Sequence, residues 1–142
     1  MVLERPIVLV VEDNEDIRDV LALFLLEKGC HILEASDGKQ AVQLAREVHP
    51  DLILMDLNLP YLSGIQATTV LKNHADTKSI SVVALSAHCT DTQWREIALQ
   101  VGCENCIPKP IDFGELARVL EPYIEHQRRR GFRVRQRTRT AE

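Results

Sequence analysis

The 142-residue chain is 45% hydrophobic but only 4% aromatic, a composition that suits one domain with an aliphatic core. No stretch approaches the ~18 consecutive apolar residues of a membrane-spanning helix. The N-terminal MVLERPIVLVVEDNED puts Glu4 and Arg5 ahead of its apolar run, ends acidic and lacks a small-residue cleavage site, so neither membrane insertion nor secretion is expected and the expected location is cytoplasmic. The net charge of −4 is unevenly divided: residues 126–142 hold seven Arg and one Glu, giving +6, and leave −10 on residues 1–125. An acidic domain over 1–125 and an Arg-rich tail over 126–142 are therefore expected.

In chain order, the β-branched run IVLVV predicts a first strand. Asn14, a good N-cap, then opens an amphipathic helix with Ile17, Leu21, Phe24 and Leu25 on one face, stopped by Gly29. CHILEA predicts a second strand, and DGKQAVQLAREVH repeats the helical pattern from Asp37 until Pro50 ends it. DLILMD is the third strand, Ser63 to about His74 the third helix, and ISVVALS the fourth strand. Asp91 to Val101 forms a fourth helix closed by Gly102, NCI a short fifth strand, and Asp112 caps a last helix carrying Leu116, Val119, Leu120 and Tyr123. Pro122 is expected to kink or shorten that last helix by removing one backbone hydrogen bond. Five β-α units in alternation imply a parallel sheet with helices on both faces.

Four of the apolar runs end on polar groups. Glu12 and Asp13 follow VLVV, Asp56 ends LILM, Ser86 ends VVAL, and Lys109 follows CIP. All stand at carboxyl ends of strands, the edge at which open parallel α/β sheets bind ligands. Three uncompensated carboxylates in one pocket would repel each other, and a hard divalent cation such as Mg²⁺ removes the conflict because it favours carboxylate, water and phosphate oxygens. The ammonium of Lys109 and the hydroxyl of Ser86 suit the other oxygens of a phosphoryl group. A carboxylate can itself accept that group as an aspartyl phosphate, and Asp56, on the middle run, is the candidate nucleophile.

The segments VVEDNEDIR, LILMDLNLPYLSG, VVALSA and IPKPI, in this order, resemble a response-regulator receiver domain, the phosphoacceptor module of two-component signalling, over roughly residues 6–125. The resemblance implies a flavodoxin-like (βα)5 fold, doubly wound, with a five-stranded parallel sheet ordered 2-1-3-4-5. It implies that Glu12 and Asp13 hold Mg²⁺, that Asp56 is phosphorylated and contacts the metal, and that the Asn58 carbonyl completes the protein ligands. Ser86 matches the hydroxyl that moves toward the phosphoryl group, with the small Ala87 beside it. Lys109 matches the lysine on a phosphoryl oxygen, followed by Pro110 in a Lys-Pro pair whose peptide bond is usually cis. Pro60 and Gly64 match the turn into the third helix. Asn58 and His88 occupy the two variable positions that flank the site.

Such a domain catalyses its own phosphorylation and dephosphorylation, takes its phosphoryl group from a histidine kinase or a histidine phosphotransfer protein, and signals through phosphorylation-dependent protein contacts with a downstream target the sequence does not name. Where the family usually has an aromatic ring that rotates inward on activation, three residues before the lysine, this chain has Cys106.

Other features have plainer readings. The absence of a secretory signal argues against a disulfide framework for Cys30, Cys89, Cys103 and Cys106, which are expected as small buried hydrophobes. The Cys103-x-x-Cys106 pair leads into a strand, unlike a redox motif that opens a helix, and a zinc site would need two further ligands. Trp94, Ile97, Ala98 and Val101 have the spacing of a core-packed helix face, with partner contact as the competing role of Trp94. The tail reads as a solvated extension. It has no motif for reading nucleic acid, and its charge is the only route by which the chain would bind one.

Three rivals to phosphoacceptor signalling are a phosphorylation-independent adaptor with the same fold, a hydrolase that turns over on Asp56, and a receiver fragment of a longer signalling protein. Asn58, two residues after Asp56, supplies no second general acid and counts against the hydrolase.

Overall fold

The computed structural model describes residues 5–125. The Arg-rich tail at 126–142 lies outside the described residues. The elements alternate as β1 (Ile7–Val11), α1 (Glu15–Glu27), β2 (His31–Ala35), α2 (Gly38–Val48), β3 (Leu52–Asp56), α3 (Gly64–Lys72), β4 (Ser81–Ser86), α4 (Thr92–Val101) and β5 (Asn105–Pro108). A fifth helix, α5, covers 113–125.

The helix starts follow from side chains that satisfy the unpaired amides of the first turn. Asn14 accepts from Ile17 N, Asp37 from Gln40 N and Asp91 from Gln93 N and Trp94 N. Ser63 and Gln66 form a reciprocal capping box at the start of α3. α5 runs through Pro122 to the last described residue, so the expected shortening at that proline does not occur.

The five strands form one parallel sheet in the order β2-β1-β3-β4-β5. Successive side chains along a strand point to opposite faces, and the sheet uses both. Leu9, Val11, Ile53, Met55, Val82 and Ala84 pack with Ala41, Ala45, Ala67, Leu71 and Ala98 of α2, α3 and α4. Val8, Val10, Leu52, Leu54, Val83, Leu85 and Ile107 pack with Leu21, Leu25, Leu116 and Leu120 of α1 and α5. β3 is buried along its whole length because it lies in the middle of the sheet under both layers. Its carboxyl end therefore opens at the centre of the strand-end edge, between the loops that follow β1 and β4.

Two expectations change here. The first concerns the cysteines: Cys89 and Cys106 form a disulfide between the β4–α4 turn and β5, with Cα atoms 5.6 Å apart, and are not independent buried thiols. β5 lies beside β4 with Cys106 opposite Ala84, so the chain leaving β4 turns back over its neighbour and brings Cys89 to Cys106. Cys30 and Cys103 lie buried outside this bond. The second concerns α4, whose Ala98 alone of the four spaced residues is fully buried. Trp94 and Ile97 are 40% and 42% exposed, and α4 buries only Ala98. No helix among the described residues is long and apolar enough to cross a membrane.

Candidate functional site

The loops after β1, β3, β4 and β5 meet at one end of the sheet. Glu12 directly continues β1, where its amide donates to Ala35 O at 3.0 Å, and Asp56 is the last residue of β3. Carboxylate oxygens of Glu12, Asp13 and Asp56 all lie within 4.8 Å of one another. Glu12 and Asp56 are almost completely buried at 1% and 2% exposure, while Asp13 faces solvent.

Lys109 reaches this cluster from beyond β5. Its ammonium forms a close ion pair with Glu12 Oε1 and stands 3.2 Å from Asp56 Oδ2. The second oxygens are held by backbone: Asn14 N donates to Glu12 Oε2 at 3.2 Å and Asn58 N to Asp56 Oδ1 at 2.9 Å. Ser86, 4% exposed, ends β4, and its Oγ accepts from His88 N at 3.0 Å while its carbonyl accepts from Lys109 N at 3.0 Å. Ala87 and Asn58 lie exposed on the rim. The Lys109–Pro110 peptide bond is cis.

The turn after β3 depends on close backbone approach. A Cβ on Gly64 would come 2.2 Å from Asp56 O and 2.7 Å from Leu57 Cα, so only glycine lets α3 start against the strand end that carries Asp56. Gly64 N donates to Leu57 O, and Pro60 lies exposed in the loop between.

The electrostatics are those of too many acids around one base. Asp13 is exposed overall, but partial desolvation of its carboxyl, then a hydrogen bond and the charge of Glu12, raise it above its ordinary range, against the lowering effect of its own backbone and Lys109. For Lys109, burial alone would lower the ammonium. The hydrogen bond to Glu12 and the charges of Asp56 and Glu12 outweigh it, and the net direction is upward. Three carboxylates facing one ammonium form an oxygen-only donor set with excess negative charge, which fits a hard divalent cation.

The structure thus brings together Glu12, Asp13, Asp56 and Lys109, four residues spread over nearly the whole described chain, with Ser86 on the adjoining strand end. Arg18 was not anticipated. Its Nη1 donates to Glu12 O at 2.9 Å and its Nε lies 3.4 Å from Glu34 Oε1, so it pins the acidic loop to β2. Arg18 follows Asn14 by one helical turn, and that spacing was the available signal. His88 and Trp94 also form a unit, their rings stacked at 5.5 Å with a 19° interplanar angle.

A family model described as the response regulator receiver domain matches residues 8–121. The polar-differentiation response regulator DivK of Brucella ovis is 36% identical over 117 residues, which cover 82% of this chain and 94% of that protein. The receiver domain of a sensor histidine kinase from Pseudomonas aeruginosa PAO1 is similar in structure, with a TM-score of 0.77 and 33% identity over 86% of this chain and 99% of that one. It carries a magnesium ion coordinated in its active site cleft. The receiver domain of the Saccharomyces cerevisiae response regulator Ssk1, in a co-crystal with the histidine phosphotransfer protein Ypd1, matches with a TM-score of 0.78 and 29% identity over 90% of this chain and 94% of that one.

Proposed function

Because the chain belongs to the response regulator receiver domain family, we propose that it is a cytoplasmic phosphoacceptor that takes a phosphoryl group from a phosphohistidine donor onto Asp56. The observation that carries this is the buried Asp56 carboxylate at the end of β3, within 4.8 Å of Glu12 and Asp13 oxygens and 3.2 Å from the Lys109 ammonium.

An Asp56 oxygen attacks phosphorus in line with the P–N bond. That bond breaks with its electron pair leaving on the imidazole nitrogen, and the product is an acyl phosphate. Glu12, Asp13, Asp56 and the Asn58 carbonyl would hold Mg²⁺, which supplies charge neutralisation for the phosphoryl oxygens and for the acidic cluster itself. Lys109 would exchange Glu12 for a phosphoryl oxygen, and the Ser86 hydroxyl would turn to another. Asn58 N–H orients the Asp56 carboxylate through its 2.9 Å bond to Oδ1. The donor is a histidine kinase or a histidine phosphotransfer protein, and phosphorylation shifts a pre-existing equilibrium that a protein partner reads.

The test is intact-mass spectrometry after incubation with Mg²⁺ and acetyl phosphate. One phosphoryl adduct is expected, absent from Asp56→Asn and from a chelator-treated sample. A folded native chain that gains no adduct would instead support the phosphorylation-independent adaptor.

A further inference from the structure

From the position of the Cys89–Cys106 disulfide we infer that the pair is a reversible dithiol/disulfide switch that sets the freedom of the β4–α4 turn and, through it, the coupling of the phosphoryl site to the exposed face of α4. The turn's role in output rests on the phosphoacceptor reading above.

The two sulfurs sit where both strand ends of the site begin. Cys89 is three residues past Ser86, and Cys106 is three residues before Lys109. Backbone bonds close the same neighbourhood: Lys109 N donates to Ser86 O at 3.0 Å, and Cys89 N approaches that carbonyl at 3.4 Å. With the disulfide formed, the segment from Ser86 to Cys89 is held covalently to the strand that delivers Lys109, and the Ser86 end of β4 loses freedom to move independently of it.

The other side of the turn faces α4. His88, next to Cys89, stacks on Trp94, and the Arg95 Nη1 lies 3.4 Å from Cys106 O. A change at either sulfur therefore has short paths to α4, whose Trp94, Ile97 and Leu99 are each about two-fifths exposed.

Both redox states are accommodated. Ile107 O lies 3.2 Å from Cys89 Sγ, a contact that becomes a hydrogen bond only when the sulfur carries a proton. A reduced Cys89 thus keeps a buried acceptor. Cys103 is poorly suited to compete in exchange: burial raises its thiol, against smaller lowering effects of Thr68 and Lys72. The reading above places this chain in the cytosol, where disulfides of mesophile proteins are typically transient or redox-sensing.

The chemistry is thiol–disulfide exchange with an external dithiol. Its thiolate attacks one sulfur of the pair, the Cys89–Cys106 bond breaks, and a mixed disulfide forms. The second thiol of the reductant resolves it, so two electrons and two protons pass to the pair and the reductant leaves as a disulfide. Both half-cystines are buried at 3% and 4% exposure. Exchange therefore requires local opening of the turn, whose Ala87, His88 and Thr90 are already exposed.

The experiment uses the full chain equilibrated in graded dithiol buffers, with peptide mapping of alkylated Cys89 and Cys106, amide hydrogen exchange of residues 86–94, and emission of Trp94, the single tryptophan. The expected result is reversible conversion of the pair, with exchange in the turn rising about tenfold on reduction. The Trp94 response to beryllofluoride and Mg²⁺ should be larger in the reduced chain, and Cys89→Ser should behave as the reduced form at every dithiol level.

A pair that stays oxidised in the folded chain throughout, or unchanged exchange in the turn after reduction, would overturn the switch. So would a phosphoryl adduct that forms with the same Trp94 response in both states. Absence of an adduct in both states counts against the phosphoacceptor reading alone, because the exchange measurement needs no phosphoryl group. If Cys89→Ser does not fold, the reduced native chain supplies the same comparison.

Discussion

Glu12 and Asp56 are removed from solvent, and the ammonium that compensates them comes from Lys109, 97 residues away from Glu12. Taking away one partner of a buried ion pair costs about 3–5 kcal/mol, because the remaining charge keeps its desolvation penalty. Lys109→Met should therefore lower the stability of the metal-free protein by about that amount in urea denaturation at neutral pH, and added Mg²⁺ should recover part of the loss. An unchanged midpoint would show that the two carboxylates are not held by Lys109.

The acids and the lysine were legible in the sequence because each sits where an apolar run stops. Their mutual pairing was not, since the resemblance places Lys109 only on a phosphoryl oxygen and nothing in the spacing shows which acid it meets in the resting chain. The Cys89–Cys106 bond was hidden for a similar reason: it depends on β5 lying beside β4 and on the return of the turn, and the nearer CxxC spacing pointed to Cys103. For Arg18 the one-turn spacing from Asn14 is the signal, but it does not show that the guanidinium meets Glu12 O and Glu34.

At the scale of elements, capping residues made helix starts readable, whereas the course of α5 through Pro122 depends on packing that composition does not encode. Gly64 is the element junction on which the site most depends. The alanine methyl in Gly64→Ala would collide with the Asp56 carbonyl and the Leu57 Cα, both backbone atoms of a buried strand end. Stability should fall by at least about 1–3 kcal/mol, the usual cost of overpacking. The phosphoryl adduct should fall with it even in molecules that remain folded, because α3 can relieve the collision only by displacing the chain that carries Asp56. A normal adduct yield at a lowered midpoint would separate the two effects.

α5 offers a pH test. Burial of the Tyr123 phenol, followed by the hydrogen bond and charge of Glu104, pushes its pKa up to about 12 from an ordinary 10. The folded chain then holds this proton where the unfolded chain has lost it. The resulting stability is present below pH 10 and is lost as pH rises through 12. Ultraviolet absorbance of the Tyr61→Phe variant, which leaves Tyr123 as the single tyrosine, should show ionisation near pH 12. Titration near 10 would remove the Glu104 contact from the account.

Over the whole molecule, the sheet gathers residues from both ends of the domain because all five strands run parallel and deliver their carboxyl ends to one edge. The alternation of β and α segments made that architecture readable. The order of strands was carried by family resemblance, since alternation alone does not say which strand is central.

The same arrangement concentrates negative charge at one edge of the sheet. Glu12, Asp13 and Asp56 outnumber the neighbouring Lys109, and the hydrogen bond and charge of Glu12 help to raise Asp13. The metal-free protein should then be limited by its own site. Replacing Asp13 by Asn, at an exposed position that leaves the core untouched, should raise the metal-free thermal midpoint and weaken Mg²⁺ binding in the same molecule. In the native chain, Mg²⁺ at a hundredfold excess over its Kd should stabilise by about 2.7 kcal/mol, and Asp13→Asn should lose much of that gain at the same concentration. Opposite shifts of the two midpoints would mean that this sheet edge trades stability for affinity. Parallel shifts, with Asp13→Asn less stable under both conditions, would mean that Asp13 supports the loop structurally and that the charge conflict is relieved elsewhere.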